Sequence, residues 1–295
     1  MMKRILVTGG EGYIGSHVCK VLAEHGHDVC VVDTRFHGEY NDVSKYINKE
    51  FSVLNIFNDI TERIPFDSWD AVVHLAGRSV VPQSLKEPYE YYRVNTMGTY
   101  NLLRQVQTDN FIFASTSSAF EMASPYARSK VAAEDIIREK ASGYTIFRFF
   151  NVSGTDGTNR QLGPASHLIR RCAMVAAGKI PKIEIFGDDY NTRDGTCIRD
   201  YIHVIDVSNA LLSAIDRGPA NTQFECLGSR EGYSVIDVLN AMERVNGKPI
   251  PFSVSPRRAG DAVSCVVDQL SDYCNLTKSL EDMCSDQLML ELRNK

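Results

Sequence analysis

Short apolar runs alternate with amphipathic stretches along the first half of the chain. Ile5–Thr8, Val29–Asp33, Phe51–Leu54, Ala71–Leu75, Phe111–Ser115 and Thr145–Phe149 are continuously apolar, which predicts strands of a parallel sheet buried on both faces. Between them, Tyr13–His25, Tyr89–Gln107 and Pro125–Lys140 carry apolar residues at helical spacing over helical lengths. Such alternation builds βαβ units, so the fold class expected is α/β, a doubly wound parallel sheet of the Rossmann type.

After Asn151 the pattern loosens. The glycine- and proline-bearing segments Gly154–Pro164 and Gly178–Gly195 flank a predicted helix over Ser166–Ala177. The expected organisation is a cofactor-binding domain over 1–150, to which later segments return, and a smaller C-terminal α/β substrate-binding lobe over 151–295. No internal repeat, low-complexity tract or long linker interrupts the chain, so the two lobes are expected to pack rigidly around a cleft.

The 295 residues are 43% hydrophobic, enough to bury a sizeable core. A formal net charge of -5 argues against nucleic acid as a partner, because that surface needs a basic excess; an anionic ligand must meet locally clustered arginines. No apolar run approaches the roughly 20 residues that span a bilayer, and no cleavable signal pattern precedes the first strand. A cytoplasmic protein with no membrane partner is the expectation. The eight cysteines include no Cys-x-x-Cys pair, which predicts reduced structural thiols and no metal site.

Two motifs carry chemistry. The first strand runs into Gly9, Gly12 and Gly15, whose spacing permits a tight turn, close approach of the backbone to a pyrophosphate, and a following helix packed near the strand. Asp33 ends the second strand, where a carboxylate accepts hydrogen bonds from an adenosine ribose and repels a 2′-phosphate. NAD is thereby favoured over NADP, with Arg35 as the competing signal. Further on, Tyr126 stands four residues before Lys130, on one helix face. A phenol with an ordinary pKa near ~10 needs a cation beside its phenolate to act as a base at neutral pH, and Lys130 is spaced to supply it. Thr116, at a strand end, offers a hydroxyl that can relay a proton between a substrate hydroxyl and Tyr126.

The chain resembles the extended short-chain dehydrogenase/reductase family and, within it, the sugar-nucleotide 4-epimerases. The resemblance covers nearly the whole chain through Thr8–Ser16, Asp59-Ile60, His74–Gly77, Asn95, Phe111–Ser118, Tyr126–Lys130, Arg148–Asn151, Ile185–Tyr190, Asp194–Val204 and Pro256–Asp261. It implies that NAD meets Gly9, Gly12, Tyr13, Ile14, Gly15 and Asp33. Asp59 and Ile60 would border the adenine, and Leu75, Ala76, Gly77 and Asn95 the nicotinamide side, with Phe149 closing the pocket and Tyr126 and Lys130 also touching the cofactor. A UDP-sugar would be held by Asn151, His167, Leu168, Phe186, Arg199, Arg258 and Asp261, its sugar facing Thr116, Tyr126 and Cys265. Side-chain chemistry agrees: the guanidinium forks of Arg199 and Arg258 suit a diphosphate, Phe186 a uracil, and Asp261 ribose hydroxyls.

The reaction implied is inversion at C4 of a UDP-hexose through a transient 4-keto sugar, on UDP-glucose and UDP-galactose and, given the small Cys265 where some relatives carry tyrosine, on their N-acetylated counterparts. Related dehydratases and decarboxylases place acids just after the catalytic threonine; here Ser117 and Ser118 stand there, which leaves epimerisation. Epimerisation of a pentose or uronic acid, or an inactive nucleotide-binding sensor, are the alternatives. A homodimer is implied, through the helices near Tyr89–Gln107 and Pro125–Lys140. Two departures stand out: only five residues separate Phe120 from Tyr126, where these relatives have a much longer loop, and Ser79 replaces a lysine near the cofactor. The first is expected to open the sugar pocket, shift Tyr126 or mark a divergent substrate; the second removes a positive charge and is expected to weaken NAD reduction.

Overall fold

The computed structural model describes residues 1–34, 39–47, 68–163, 165, 167–221, 224–258 and 261–293. Arg35, the strand expected over Phe51–Leu54, and the adenine contacts Asp59 and Ile60 lie outside the described residues. The chain forms two compact units, Met1–Phe149 with Ser208–Glu225, and Phe150–Val207 with Cys226–Lys295.

In the first unit, β1 (Arg4–Thr8), β2 (Asp28–Val32), β3 (Ala71–His74), β4 (Phe111–Thr116) and β5 (Tyr144–Phe149) form a parallel sheet in the order β2-β1-β3-β4-β5. The five described strands match the apolar runs because a central parallel strand has no solvent face. β3 and β4 are buried along their whole length. Phe111, Phe113, Ile137, Ile146 and Leu102 fill the core beside the sheet. One consequence of the topology matters for chemistry: loops leaving the C-terminal ends of these strands gather at a single edge, where open α/β sheets bind ligands.

Two helices there follow their local signals closely. The first, Tyr13–Glu24, begins directly after Gly12. The second, Pro125–Lys140, opens on Ser124, whose side chain accepts the Ala127 N–H, with Pro125 at the first helical position and Arg138 and Lys140 in the last turn. The single helix expected over Tyr89–Gln107 is instead Pro88–Tyr91, a π-helical turn Tyr92–Met97, and Gly98–Leu103. Side-chain bonds hold the wide turn: Asn95 Nδ2 donates to Ser129 Oγ at 3.0 Å, and Thr96 Oγ1 to the Ser129 carbonyl at 2.9 Å. Apolar periodicity does not register one inserted residue, and such turns recur at functional sites. Tyr89, Tyr92 and Met97 leave apolar surface exposed along these pieces, as Val81 and Leu85 do on the preceding helix Val81–Lys86.

In the second unit, β6 (Asn151–Ser153) runs parallel to Ile198–His203, which also pairs antiparallel with Gly232–Ser234 and parallel with Ser264–Cys265. Ile183–Phe186 and Phe252–Ser255 form a separate parallel pair. The predicted helix over Ser166–Ala177 is observed as Leu168–Ala176, packed with Val235–Asn246 and Leu280–Arg293 around Cys172, Leu239, Met242, Met283 and Cys284. Asp200, fully buried, is the polar centre of this unit. Its carboxylate accepts from Ser229 N at 2.6 Å, Ser229 Oγ at 2.8 Å, Arg230 N at 3.0 Å and Val267 N at 3.1 Å, tying two loops to the strand that carries Arg199. All eight cysteines are free thiols. Among the described residues no helix is long and apolar enough to cross a membrane, and no His, Cys, Asp and Glu side chains are grouped to hold a metal.

Candidate active site

The glycine turn has no room for side chains. A Cβ on Gly15 would stand 2.1 Å from the Gly9 carbonyl oxygen, and one on Gly9 2.8 Å from Ala76 N, with Gly9 already at φ +71°. Gly10, not singled out by the spacing, is required too, since its Cβ would lie 2.7 Å from Val31. The backbone of the turn is thus left bare at the N-terminus of the Tyr13–Glu24 helix, the arrangement a pyrophosphate needs. Tyr13 and Ile14 open that helix, both half-buried. Asp33 leaves β2 with its carboxylate accepting Glu11 N–H at 3.0 Å and Thr34 N–H at 2.7 Å, which fixes the acid beside the turn.

A directed hydrogen-bond chain joins the turn to the next loop. Ala76 N–H donates to Thr8 Oγ1 at 3.2 Å; Thr8 Oγ1 and His74 Nδ1 are 2.6 Å apart; His74 Nε2 and Thr99 Oγ1 are 2.9 Å apart; Thr99 Oγ1 donates to the Asn95 carbonyl at 2.7 Å. Because Thr99 spends its proton on Asn95, it must accept from His74 Nε2–H, so Nδ1 accepts from Thr8 and the imidazole is the neutral Nε2–H tautomer. Burial, reinforced by the charge of Lys130, pushes the His74 pKa down to about 3, so this tautomer persists at neutral pH. The chain sets the loop carrying Leu75, Ala76 and Gly77 against the π-helical turn carrying Asn95. Asn95 completes the fit, its Oδ1 accepting Arg78 N–H at 2.8 Å.

Gly77 faces the reacting end of this unit: a Cβ there would lie 2.9 Å from Asn95 Oδ1 and 3.2 Å from Lys130 Nζ. Lys130, 5% exposed, donates to the Ala114 carbonyl at 2.8 Å and lies 4.6 Å from the centre of the Phe113 ring. Burial lowers its pKa to about 8, with Glu134 pulling the other way. Tyr126 precedes it by one helical turn; burial raises the phenol above its ordinary range, the neighbouring Thr116 hydroxyl opposes the rise, and Tyr91 adds to it. Thr116, Tyr126 and Lys130 are therefore brought together at the end of β4, and Phe149 ends the neighbouring strand opposite Thr116. The short segment that follows is tied down: Ser117–Phe120 forms a 3₁₀ turn, and the Phe120 ring packs edge-on against Phe224 at 5.4 Å. The charge missing at Ser79 is not restored by Arg78, whose guanidinium pairs with Glu87 at 2.8 Å and Glu90 at 3.7 Å.

In the second unit the arginines do cluster. Arg258 Nε donates to Asp261 Oδ2 at 2.9 Å, Arg199 lies 3.9 Å from Asp261 Oδ1, and the Arg258 guanidinium sits over the Phe186 ring at 4.6 Å. Arg199 is aimed by donating to the Ile198 and Ala262 carbonyls at 2.8 and 2.9 Å. Cys265 is its neighbour across the strands, and Asn151 Nδ2 donates to the Asp200 carbonyl at 2.9 Å on its other side. His167 and Leu168 open the Leu168–Ala176 helix, with Leu168 packed on the helical core. Among the described residues no hydrogen bond or ion pair ties them to the arginine cluster. Sequence reasoning passed over Tyr190: it is buried, its hydroxyl has no partner among the described residues, and Arg257 covers its ring at 4.1 Å. An unsatisfied buried hydroxyl is visible only in three dimensions.

Comparison with known proteins gives a consistent result. Residues 5–226 match the NAD dependent epimerase/dehydratase family. The chain is 37% identical over 294 residues to a UDP-glucose 4-epimerase of Halalkalibacterium halodurans, spanning 89% of this chain and 86% of that protein. It is 32% identical over 334 residues to that of Mus musculus, spanning 97% and 95%. Among solved structures, UDP-glucose 4-epimerase from Bifidobacterium longum in complex with NAD+ and UDP is similar with a TM-score of 0.86 at 28% identity, covering 99% of this chain and 98% of that one. The UDP-Glc/GlcNAc 4-epimerase from Campylobacter jejuni is similar with a TM-score of 0.76 at 33% identity, covering 98% and 99%. With the glycine turn and the tyrosine–lysine helix in place, the chain belongs to the NAD dependent epimerase/dehydratase family.

Proposed function

We propose that this protein is an NAD-dependent UDP-hexose 4-epimerase that interconverts UDP-glucose and UDP-galactose. The observation that carries the reading is the meeting of Thr116, Tyr126 and Lys130 at the end of β4, in the unit that also carries the bare glycine turn and Asp33. The residues present fit a dinucleotide: the turn and Gly77 offer space that any Cβ would fill, and Asp33 suits a free 2′-hydroxyl. When bound, the cofactor supplies reversible hydride transfer at C4 with no net redox change.

This chain's residues then manage the proton and the remainder of the substrate. Tyr126 Oη takes the proton of the C4 hydroxyl and later returns it, and Thr116 Oγ1 relays it. The Lys130 ammonium holds the phenolate. Arg199 and Arg258 grip the diphosphate through charge-assisted hydrogen bonds while the sugar turns over, with Asp261 on the ribose and Phe186 against the base. Ser117 and Ser118 supply no carboxylate for elimination, which supports inversion as the outcome. The eight free thiols suit a cytoplasmic location.

The primary test is an NMR time course of the purified protein with UDP-glucose and no added NAD. Interconversion at C4 is expected, and Tyr126→Phe should lower turnover by ~10²–10⁴-fold while UDP binding is retained; no conversion even with NAD supplied would overturn the reading. Cys265 is a small neighbour of Arg199, so UDP-N-acetylglucosamine should also turn over. Cys265→Tyr is expected to slow the acetamido sugar selectively, and equal losses for both sugars would remove that assignment.

Lys130 yields a stability prediction. Its folded pKa of about 8 lies below the ordinary 10.5, so below pH 8 the folded state carries an ammonium it binds less well than the unfolded chain does. Lys130→Met should therefore abolish turnover yet unfold no more easily than wild type at pH 7, with a gain of up to ~3 kcal/mol that fades as pH rises from about 8 to 10.5. Chemical denaturation across that range measures it. A homodimer through the Tyr89–Gln107 and Pro125–Lys140 elements is supported by the exposed Tyr89, Tyr92 and Met97 of the first; solution scattering is expected to return the mass of two chains, and a monomer at all concentrations would refute it.

A further inference from the structure

Tyr126, Lys130 and Glu134 are spaced four residues apart and form one stripe along the Pro125–Lys140 helix. The first two are the proposed proton-handling groups. The third is wholly buried and carries four hydrogen bonds. Its Oε1 accepts from Ser115 Oγ at 2.5 Å and Arg148 Nε at 3.0 Å; its Oε2 accepts from Arg148 and Arg138, both at 2.8 Å.

These donors come from three places that matter. Ser115 precedes Thr116 on β4, Arg148 precedes Phe149 on β5, and the two are paired across the strands. Arg138 lies one turn further along the helix itself. The Arg148 guanidinium is enclosed between the rings of Phe224 at 3.9 Å and Phe120 at 4.7 Å, and Phe120 ends the turn that follows Thr116. Burial pushes the Glu134 carboxyl up, but its bonds to Arg148, Ser115 and Arg138 hold it below the ordinary range, so it stays charged. A buried carboxylate that lost these donors would be strongly disfavoured, and a slip of one residue along the helix, about 1.5 Å and 100° of rotation, would lose them. The helix therefore has one seating against β4 and β5.

We propose that Glu134 is the positioning residue of this site, seating the helix at the one height and rotation that brings Tyr126 and Lys130 to Thr116. The proposal rests on the assignment of those three residues as the acid–base centre. It also explains how a chain with so short a segment between Phe120 and Tyr126 keeps them aligned: the seat is made by packed elements and by the aromatic cover over Arg148. Misplacement of about 1 Å is enough to cost a reacting group most of its effect.

The test uses Ser115, which touches Glu134 without carrying charge. Ser115→Ala removes one bond of the seat, Ser115→Thr restores the hydroxyl, and Glu134→Gln removes the charge. In the NAD-loaded protein, kcat and KM for UDP-glucose are measured together with the ultraviolet titration of Tyr126, taken as the difference from the matching Tyr126→Phe protein. The other titratable groups around Lys130 and Tyr126, His74 and Tyr91, are unchanged in these variants. Expected for Ser115→Ala are a kcat at least tenfold lower with KM within twofold, a Tyr126 titration moved to higher pH, and recovery of both in Ser115→Thr. An unmoved titration overturns the proposal, whatever happens to kcat or melting temperature. Glu134→Gln should exceed the Ser115→Ala effect if it folds, and the Ser115 pair decides if it does not. Should the wild-type protein fail to epimerise UDP-glucose, the functional reading falls, and the titration alone still decides the positioning.

Discussion

The ammonium of Lys130 sits almost out of water, and the first unit is organised around holding it there. Its partners are a main-chain carbonyl at Ala114 and the face of Phe113, both on the central strand β4, with the Glu134 carboxylate one helical turn away. A carbonyl and an aromatic face compensate a buried charge only in part, which is why its pKa falls. The group proposed to hold the Tyr126 phenolate is thus kept in place at a cost to the fold. The surrounding features make sense as accommodations: Gly77 lacks the side chain that would strike Nζ, and the helix is seated by its own buried carboxylate.

Polar connectivity sets the cofactor side with equal definition. The sequence of donors from Ala76 through Thr8, His74 and Thr99 to Asn95 crosses from one strand end to the next and ends in the π-helical turn. Each hydroxyl donates once and accepts once, so the chain has one direction and the imidazole one tautomer. Reversing it would leave buried groups without partners, a cost large enough to hold the loops in one arrangement.

The second unit solves a different problem. The two arginines proposed to hold the diphosphate are ordered by leaning on Asp261, on main-chain carbonyls and on the Phe186 ring. Arg199 is the better fixed of the two, being carried on the strand whose next residue, Asp200, gathers the loops of 229–230 and 267. Placing this buried acid–amide cluster one residue from Arg199 couples that arginine's aim to the stability of the unit.

Much of this was legible in the chain. Continuous apolar runs determined the parallel strands, because burial on both faces leaves no alternation to disguise them, and Ser124-Pro125 with Arg138 and Lys140 marked both ends of the Pro125–Lys140 helix. The tyrosine–lysine spacing placed the two side chains of the proposed acid–base centre on one face, since that is a property of the helix alone. Other features were decided by tertiary structure: the break of Tyr89–Gln107 into a π-helical turn, which later segment (208–225) returns to the first unit, the need for glycine at position 10, the seating of Glu134 and the orphaned hydroxyl of Tyr190. Each depends on a group far away in sequence: Ser129 for Asn95, Val31 for Gly10, Ser115 and Arg148 for Glu134. Local propensity and spacing report what a segment can form by itself; which buried polar group is satisfied, and by whom, is settled only when distant strands and helices are brought within hydrogen-bonding distance.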